Sequence, residues 1–241
     1  VNTLKDKQIL VFGGGGRLGK DLVPLLKAAG AHVIAPTSEE VDIATTKIWQ
    51  CVMWHNPDIV INLAAYTDVP KAETMEGKDK CVRTNIMGSK FVCESAHYHG
   101  AKVVYISTDY VYPGTEGNYS VSDVSPLGSY GMTKFIGEWF CDPEKDLIIR
   151  TSMKARGTWG ENAYTKVIDP VWTNADWIDV IAEKIVEVVA DERTGVINLG
   201  TERKLLADLA REEYPWVELV DPIDLKTPYQ YPTDCSMVLD E

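Results

Sequence analysis

The stretch Gln8-Ile9-Leu10-Val11-Phe12-Gly13-Gly14-Gly15-Gly16-Arg17-Leu18-Gly19 decides the fold. A short apolar run ends at a glycine cluster, and leucines then recur at 18, 22, 25 and 26 until Gly30. That spacing predicts a strand, a tight turn and a helix over residues 17–29. Glycines 13, 16 and 19 make the pattern G-x-x-G-x-x-G, although Gly14-x-Gly16-x-x-Gly19 also satisfies the alternative G-x-G-x-x-G. In either frame, glycine permits the turn and a close backbone approach, while the helix N-terminus offers free N–H groups to a pyrophosphate. A dinucleotide-binding loop is therefore expected after the first strand.

The same rhythm continues outward. Ala31–Ala35, Asp58–Asn62, Lys102–Ile106 and Asp146–Arg150 read as further strands, with helices over about residues 79–98 and after Ser129. Nearly continuous apolar strands separated by helices predict an α/β fold, a Rossmann-type doubly wound parallel sheet covered on both faces. Ligands of such folds sit beyond the carboxyl ends of the strands, so chemistry is expected just after residues 12, 35, 62, 106 and 150. After residue 151 the rhythm changes to a helical pattern at 175–190, a short strand at Val196–Leu199 and a tail with Pro215, Pro222, Pro228 and Pro232. The expected division is a dinucleotide-binding domain over 1–152 and a small substrate lobe over 153–241.

The chain has 241 residues with 24 Lys+Arg and 36 Asp+Glu, a formal charge of 24 − 36 = −12. At 45% hydrophobic and 25% charged residues it is composed like a soluble globular protein. The acidic balance opposes general binding to nucleic acid or an anionic membrane. No apolar run approaches the roughly 20 residues of a membrane helix. The opening residues, Val1 to Asp6, show no secretory apolar region. Cys51, Cys81, Cys93, Cys141 and Cys235 show no paired spacing, so free thiols of a cytoplasmic protein and no metal site are expected. Asn118-Tyr119-Ser120 is read as an accidental glycosylation triplet, and His97 and His99 as surface residues.

The most informative constellation is Ser107-Thr108-Asp109-Tyr110 after the fourth strand, followed by Tyr130-Gly131-Met132-Thr133-Lys134. Tyr130 and Lys134 lie four residues apart on one predicted helix and face the same way. An ammonium beside a phenol stabilises the phenolate, lowering its pKa from about 10 toward neutrality. The pair therefore reads as a proton donor and acceptor, with Thr108 polarising a substrate carbonyl. After the second strand stands Pro36-Thr37-Ser38-Glu39-Glu40, which carries hydroxyls suited to a 2′-phosphate and a carboxylate suited to a 2′-hydroxyl. The cofactor is thus NADP or NAD, with the choice open.

These motifs, together with Val41-Asp42-Ile43, Pro57 to Thr67, Lys71-Ala72-Glu73, Thr84-Asn85-Ile86-Met87-Gly88, Gly137-Glu138 and Ile149-Arg150-Thr151-Ser152, resemble the extended short-chain dehydrogenase/reductase family. Within it the likeness is to the dTDP-4-dehydrorhamnose reductase branch, dense from about 8 to 152 and fragmentary beyond. The resemblance implies that Tyr130 protonates the substrate oxygen, with Lys134 assisting and Thr108 hydrogen-bonding the reacting group. It places Gly13, Gly16, Arg17, Leu18 and Gly19 at the pyrophosphate, Asp42 and Ile43 at adenine, and Ala64, Ala65 and Tyr66 on the cofactor, which Tyr130 and Lys134 also touch. Thr67, Asn85, Thr108 and Asp109 become substrate-side or site-ordering positions. The branch follows Arg-Thr-Ser with Trp and then Tyr-Gly, whereas this chain has Met153-Lys154-Ala155-Arg156-Gly157. It is also shorter than usual members, so a reduced substrate lobe is expected.

The leading expectation is an NAD(P)H-dependent reductase of a nucleotide-linked 4-keto sugar. Alternatives are a nucleotide-sugar epimerase, or a non-catalytic subunit like the regulatory subunit of methionine adenosyltransferase. A dehydratase is disfavoured because Asp109 is followed by Tyr110 and not by a second carboxylate. The expected partner is an anionic nucleotide-sugar, without nucleic acid or membrane and with room for a homodimer. Lys154, Arg156 and Lys166 are the candidate cations of the cleft.

Overall fold

The computed structural model describes residues 4–224 and 231–240. Residues 1–3 of the opening stretch and Pro228 of the tail lie outside the described residues. Strands β1 (Gln8–Phe12), β2 (His32–Ile34), β3 (Ile59–Asn62), β4 (Lys102–Thr108), β5 (Leu147–Thr151) and β6 (Gly195–Leu199) form one sheet in the order β6-β5-β4-β3-β1-β2. Every neighbouring pair is parallel. The order reverses between β1 and β3, so the crevice above those two strands is the topological switch point where a doubly wound sheet binds its ligand.

The apolar strand runs are dealt alternately to two faces, as the period of two requires. Ile9, Val11, Ile59, Ile61, Val104, Ile106, Leu147 and Ile149 bury against Leu18, Leu22 and Leu26 of α1 (Arg17–Ala28) and Ile181 and Ile185 of a C-terminal helix. Leu10, Phe12, Val60, Val103, Tyr105 and Ile148 face the other way, toward Ile48 and Val52 of α2 (Lys47–His55) and Val92 and Ala96 of α3 (Ser89–Tyr98). Each fully buried Leu or Ile contributes about 1.5–3 kcal/mol, which is why both faces must be covered.

One expectation is corrected: the helix foreseen from about residue 79 begins at Met75, and Val82–Gly88 winds as a π-helix before α3 continues. Two elements beyond residue 152 join the main sheet and its helices. The helix Ile178–Ala190 packs beside α1, and β6 pairs with β5 from Gly195↔Leu147 to Leu199↔Thr151. The apolar periodicity of 175–190 was legible, but the face it buries is the sheet's own. What lies apart is a small second core of Trp159, Val167, Trp177, Ala207, Leu209, Ala210 and Val217. Short strand pairs, Met153–Lys154 with Asp176–Trp177 and Lys166–Ile168 with Glu218–Val220, frame it. The helix that carries Tyr130 and Lys134, α4, spans Gly128–Glu138, and α5 denotes Ile178–Ala190.

Candidate active site

The glycine turn after β1 is built for close approach. Gly13 has φ +82°, and a Cβ there would stand 2.7 Å from the Ala64 backbone nitrogen. A Cβ on Gly19 would stand 2.4 Å from the Gly14 carbonyl oxygen. The left-handed residue is Gly13 and not Gly14. Gly16 caps α1 without a side-chain hydrogen bond, and the first turn carries no acidic residue. Its first N–H groups are thereby left for an anion. Arg17 is exposed beside them, whereas Leu18 turns into the core. The cradle fits a dinucleotide pyrophosphate.

After β2, Asp42 pairs with Arg83 and accepts the Ala44 N–H at 2.9 Å. The Arg83 guanidinium holds the Asp42 carboxyl below its ordinary range. Ile43 is buried over Gly88, where a Cβ would stand 2.6 Å from the isoleucine Cδ1. The Thr37 N–H and hydroxyl both donate to Glu40 Oε2, at 2.8 and 3.0 Å. The carboxylate that closes the β2 loop is thus Glu40 and not Glu39.

After β3, the Ala64 N–H donates to Asn62 Oδ1 at 3.2 Å. Ala64, Ala65 and Tyr66 line the crevice half-buried, and Thr67 is exposed at its rim. Asn85, on the π-helical turn, is fully buried and hydrogen-bonds both backbone groups of Tyr66 and the Thr133 hydroxyl. A π-turn inserts a residue into a helix and re-aims its neighbours, often at a functional site. It brings α4 and the 62–67 segment together through one side chain.

Thr108 ends β4, opposite Thr151 of β5. Its hydroxyl donates to Asp109 Oδ1 at 3.0 Å and also lies against the Tyr130 phenol. The 109–111 turn seats α4, because a Cβ on Gly131 would stand 2.1 Å from the Tyr110 carbonyl oxygen. Tyr110 and Tyr130 meet edge to face at 5.9 Å. Asp109 is buried, which raises its carboxyl pKa, and Lys154, Ser152 and Thr108 oppose that rise.

Tyr130 and Lys134 do share a helix face, but their electrostatics differ from expectation. Burial drives the Tyr130 phenol above its ordinary value, Asp109 adds to the rise, and the Thr108 hydroxyl opposes it. Burial also pushes Lys134 down, to about 7. The Lys134 ammonium lies 4.1 Å from the centroid of the Tyr105 ring, with Glu138 as its main charged neighbour. In the free chain, therefore, Lys134 sits over a π-face with a carboxylate as its charged neighbour, and desolvation governs both titrating groups.

Two supports escaped the sequence reading. Glu73 accepts from the Ser129 N–H at 2.6 Å and from its hydroxyl at 3.1 Å, placing a negative charge at the N-terminus of α4. The Lys71-Ala72-Glu73 motif was visible, but a cap from 56 residues away has no local signature. Buried Glu138 accepts from Arg150 Nε at 3.1 Å and Nη2 at 2.7 Å, and also from the Ser107 hydroxyl. Arg150 continues to Tyr112 and through it to Asn198 of β6, tying α4 to β4, β5 and β6.

The three cations expected at the cleft separate. Arg156 pairs with Asp179 at 2.8 Å and lies 5.1 Å from the Trp177 ring, and Lys166 pairs with Glu218 at 2.9 Å. Lys154 has Asp109, Cys235 and Arg17 as its charged and titratable neighbours.

A six-stranded parallel sheet, a glycine turn at its switch point and a Tyr-x-x-x-Lys helix beside it define a member of the extended short-chain dehydrogenase/reductase class. Within that class the chain belongs to the RmlD substrate binding domain family, whose model matches residues 7–187. It is 33% identical over 186 residues to a dTDP-4-dehydrorhamnose reductase of Aggregatibacter actinomycetemcomitans, covering 74% of this chain and 61% of that protein. It is 32% identical over 207 residues to a dTDP-4-keto-6-deoxy-D-glucose reductase of Streptomyces niveus, covering 78% and 71%. The first of these matches thus spans about three-fifths of the relative's length. The fold of a dTDP-4-dehydrorhamnose reductase from Bacillus anthracis, solved with NADP, superposes with a TM-score of 0.86 at 23% identity, covering 98% of this chain and 91% of that one. A hypothetical dTDP-4-dehydrorhamnose reductase from Sulfolobus tokodaii gives 0.84 at 26% identity, covering 96% and 92%. The structural likeness therefore extends through the C-terminal part, where sequence matches were fragmentary.

Proposed function

We propose that this chain is an NAD(P)H-dependent reductase of a nucleotide-linked 4-keto sugar. The observation that carries the reading is the meeting of Thr108 and Tyr130 at the carboxyl end of β4, with Lys134 on the same helix. The names of the relatives, which are reductases of dTDP-linked sugars, and the NADP bound to a structural neighbour support it.

A bound reduced nicotinamide supplies the hydride. The turn at Gly13, Gly16 and Gly19 and the α1 N-terminus hold its pyrophosphate, with Arg17 and Leu18 beside it. Asp42 and Ile43 flank adenine, and Ala64, Ala65 and Tyr66 line the cofactor's path. Lys134 holds the nicotinamide ribose. Thr108 hydrogen-bonds the substrate carbonyl oxygen, with Thr67 and Asp109 on the sugar side. As hydride reaches the carbonyl carbon, Tyr130 gives its phenolic proton to the oxygen, and the ketone becomes an alcohol. A phenol whose pKa is raised by burial is protonated at neutral pH, as a donor must be.

The test is NADH or NADPH oxidation with a panel of nucleotide-linked 4-keto sugars, beside Tyr130→Phe. The expected loss is about 100- to 10,000-fold in turnover, with cofactor binding retained. Oxidation that persists unchanged in the variant removes Tyr130 from the reaction. A cytoplasmic location and a homodimer belong to the same reading. Five buried free cysteines accord with a reducing compartment. Exposed Met132 and Trp139, on and just after α4, offer an apolar face for self-association.

A further inference from the structure

Tyr105 and Ser107 stand two residues apart on β4 and point to one face of the sheet, the face that α4 covers. The Lys134 ammonium lies over the Tyr105 ring, 4.1 Å from its centroid, and the Tyr105 hydroxyl donates to the Lys134 carbonyl at 3.2 Å. One helical turn on, Glu138 accepts the Ser107 hydroxyl. Arg150, the register partner of Ser107 on β5, binds the Glu138 carboxylate through Nε at 3.1 Å and Nη2 at 2.7 Å. Lys134, Glu138 and Arg150 are 2%, 5% and 3% exposed. A cation, an anion and a second cation therefore follow one another in a space that water barely screens.

At a rise of about 3.3 Å per residue, contacts at 105 and 107 lie roughly 7 Å apart. Two unit charges at that spacing inside a protein shift each other's titration by about one to two pH units. The other groups around Lys134 are Tyr105, Cys141 beyond the end of α4, and Cys93 of α3, which meets Cys141 at 3.7 Å, with Tyr130 one turn back. Burial raises both phenols, and Cys93 together with burial raises the Cys141 thiol, so these three are neutral near pH 7. Cys81, Asp109 and Glu73, on segments packed against the other end of α4, face Thr133, Tyr130 and Ser129 instead. Arg150 springs from the next strand and meets α4 at the Glu138 carboxylate. Building on the reductase reading for its effect on turnover, we infer that the buried Glu138–Arg150 pair tunes the charge of Lys134, Glu138 favouring the ammonium and Arg150 restraining it. Removing Glu138 leaves Lys134 facing a buried cation, and removing Arg150 leaves it facing an uncompensated anion. The two changes act on Lys134 with opposite sign, although both break the same ion pair. Glu138 is thus a positioning residue that acts through Lys134.

The test follows the pH at which Lys134 loses its proton in Glu138→Gln and Arg150→Met. One readout is the alkaline limb of kcat/KM with NAD(P)H and a 4-keto sugar nucleotide. The other is the onset of the rise in stability with pH in chemical denaturation, each variant being compared with its own Lys134→Met derivative to isolate that group. Both midpoints should lie about one pH unit lower in Glu138→Gln and about one unit higher in Arg150→Met. A purely structural pair would weaken both variants without moving their midpoints apart. Where one single variant fails to fold, Glu138→Leu/Arg150→Met takes its place, with a midpoint above that of Glu138→Gln and below that of Arg150→Met. Midpoints that coincide, or that move in the same direction in both single variants, overturn the inference and leave the reductase reading intact. A folded parent that binds NAD(P)H but reduces no 4-keto sugar nucleotide removes that reading, while the stability midpoints still decide what tunes Lys134.

Discussion

The side-chain amide of Asn85 binds both backbone groups of Tyr66. Its Oδ1 accepts the Tyr66 N–H at 2.8 Å, and its Nδ2 donates to the Tyr66 carbonyl at 3.2 Å. A third hydrogen bond, to Thr133 Oγ1 at 3.1 Å, reaches the catalytic helix. One fully buried residue thus ties the segment after β3 to the helix carrying Tyr130. Asn85→Ala should cost about 1–3 kcal/mol of stability, because the Tyr66 backbone groups lose their partner. It should also weaken NAD(P)H binding, read by fluorescence titration. A variant that melts lower but binds cofactor normally would make Asn85 a packing residue only.

Lys134 gives the pH dependence a definite sign. With a pKa of about 7 in the free chain, it carries a proton below that pH and loses it above. If the ammonium is needed, kcat/KM, which reports free-enzyme groups, falls as pH rises through about 7. Lys134→Arg, charged throughout, should remove that alkaline limb. Stability has its own sign. The unfolded chain binds the Lys134 proton up to about 10.5, so between about 7 and 10.5 stability rises with pH. Lys134→Met should therefore melt higher than the parent near pH 6, with the gap narrowing toward pH 10.

The Glu138–Arg150 pair is buried on both sides, at 5% and 3% side-chain exposure. Arg150→Met leaves Glu138 without its cation and should cost about 3–5 kcal/mol in chemical denaturation. The double variant Glu138→Leu/Arg150→Met should recover part of that loss. Additive losses would show that the pair is not coupled.

Gly19 has no room for a side chain, since a Cβ would stand 2.4 Å from the Gly14 carbonyl. Gly19→Ala should force the turn away from α1 and abolish detectable cofactor binding. Gly15, with nothing within 4 Å of its Cβ position, serves as the control. Gly15→Ala should fold with unchanged stability.

Glu40 stands on Thr37, where a 2′-phosphate would otherwise find donors. The parent should accordingly have a lower KM for NADH than for NADPH. Glu40→Gln should narrow that ratio by removing the negative charge, as measured in paired initial-rate assays. A ratio unmoved by the substitution would place cofactor choice elsewhere.

How much was legible follows from the range of each interaction. The run Gln8–Gly19 carries its strand, turn and helix in local spacing, and the alternation of Leu10 and Phe12 with Ile9 and Val11 already implies two covered faces. Tyr130 and Lys134 could be paired from sequence because four residues on a helix share a face. The π-turn at Val82–Gly88 could not be read, since its residues have ordinary helical periodicity. The return of β6 to the sheet was equally hidden, because a five-residue apolar strand does not name its neighbour.

The sequence by itself determined the class of fold, the place of the glycine turn and the pairing of Tyr130 with Lys134 on one helix face. All three depend on spacing along one chain segment. Only the tertiary structure decided the electrostatics. Lys134 lies over Tyr105 and not as the dominant charge on Tyr130, and burial sets both protonation states. It also sorted the cations expected at the cleft, engaging Arg156 with Asp179 and Lys166 with Glu218, and giving Lys154 Asp109, Cys235 and Arg17 as its charged and titratable neighbours. Desolvation and charge pairing are properties of what surrounds a group in space, and distant segments supply those surroundings.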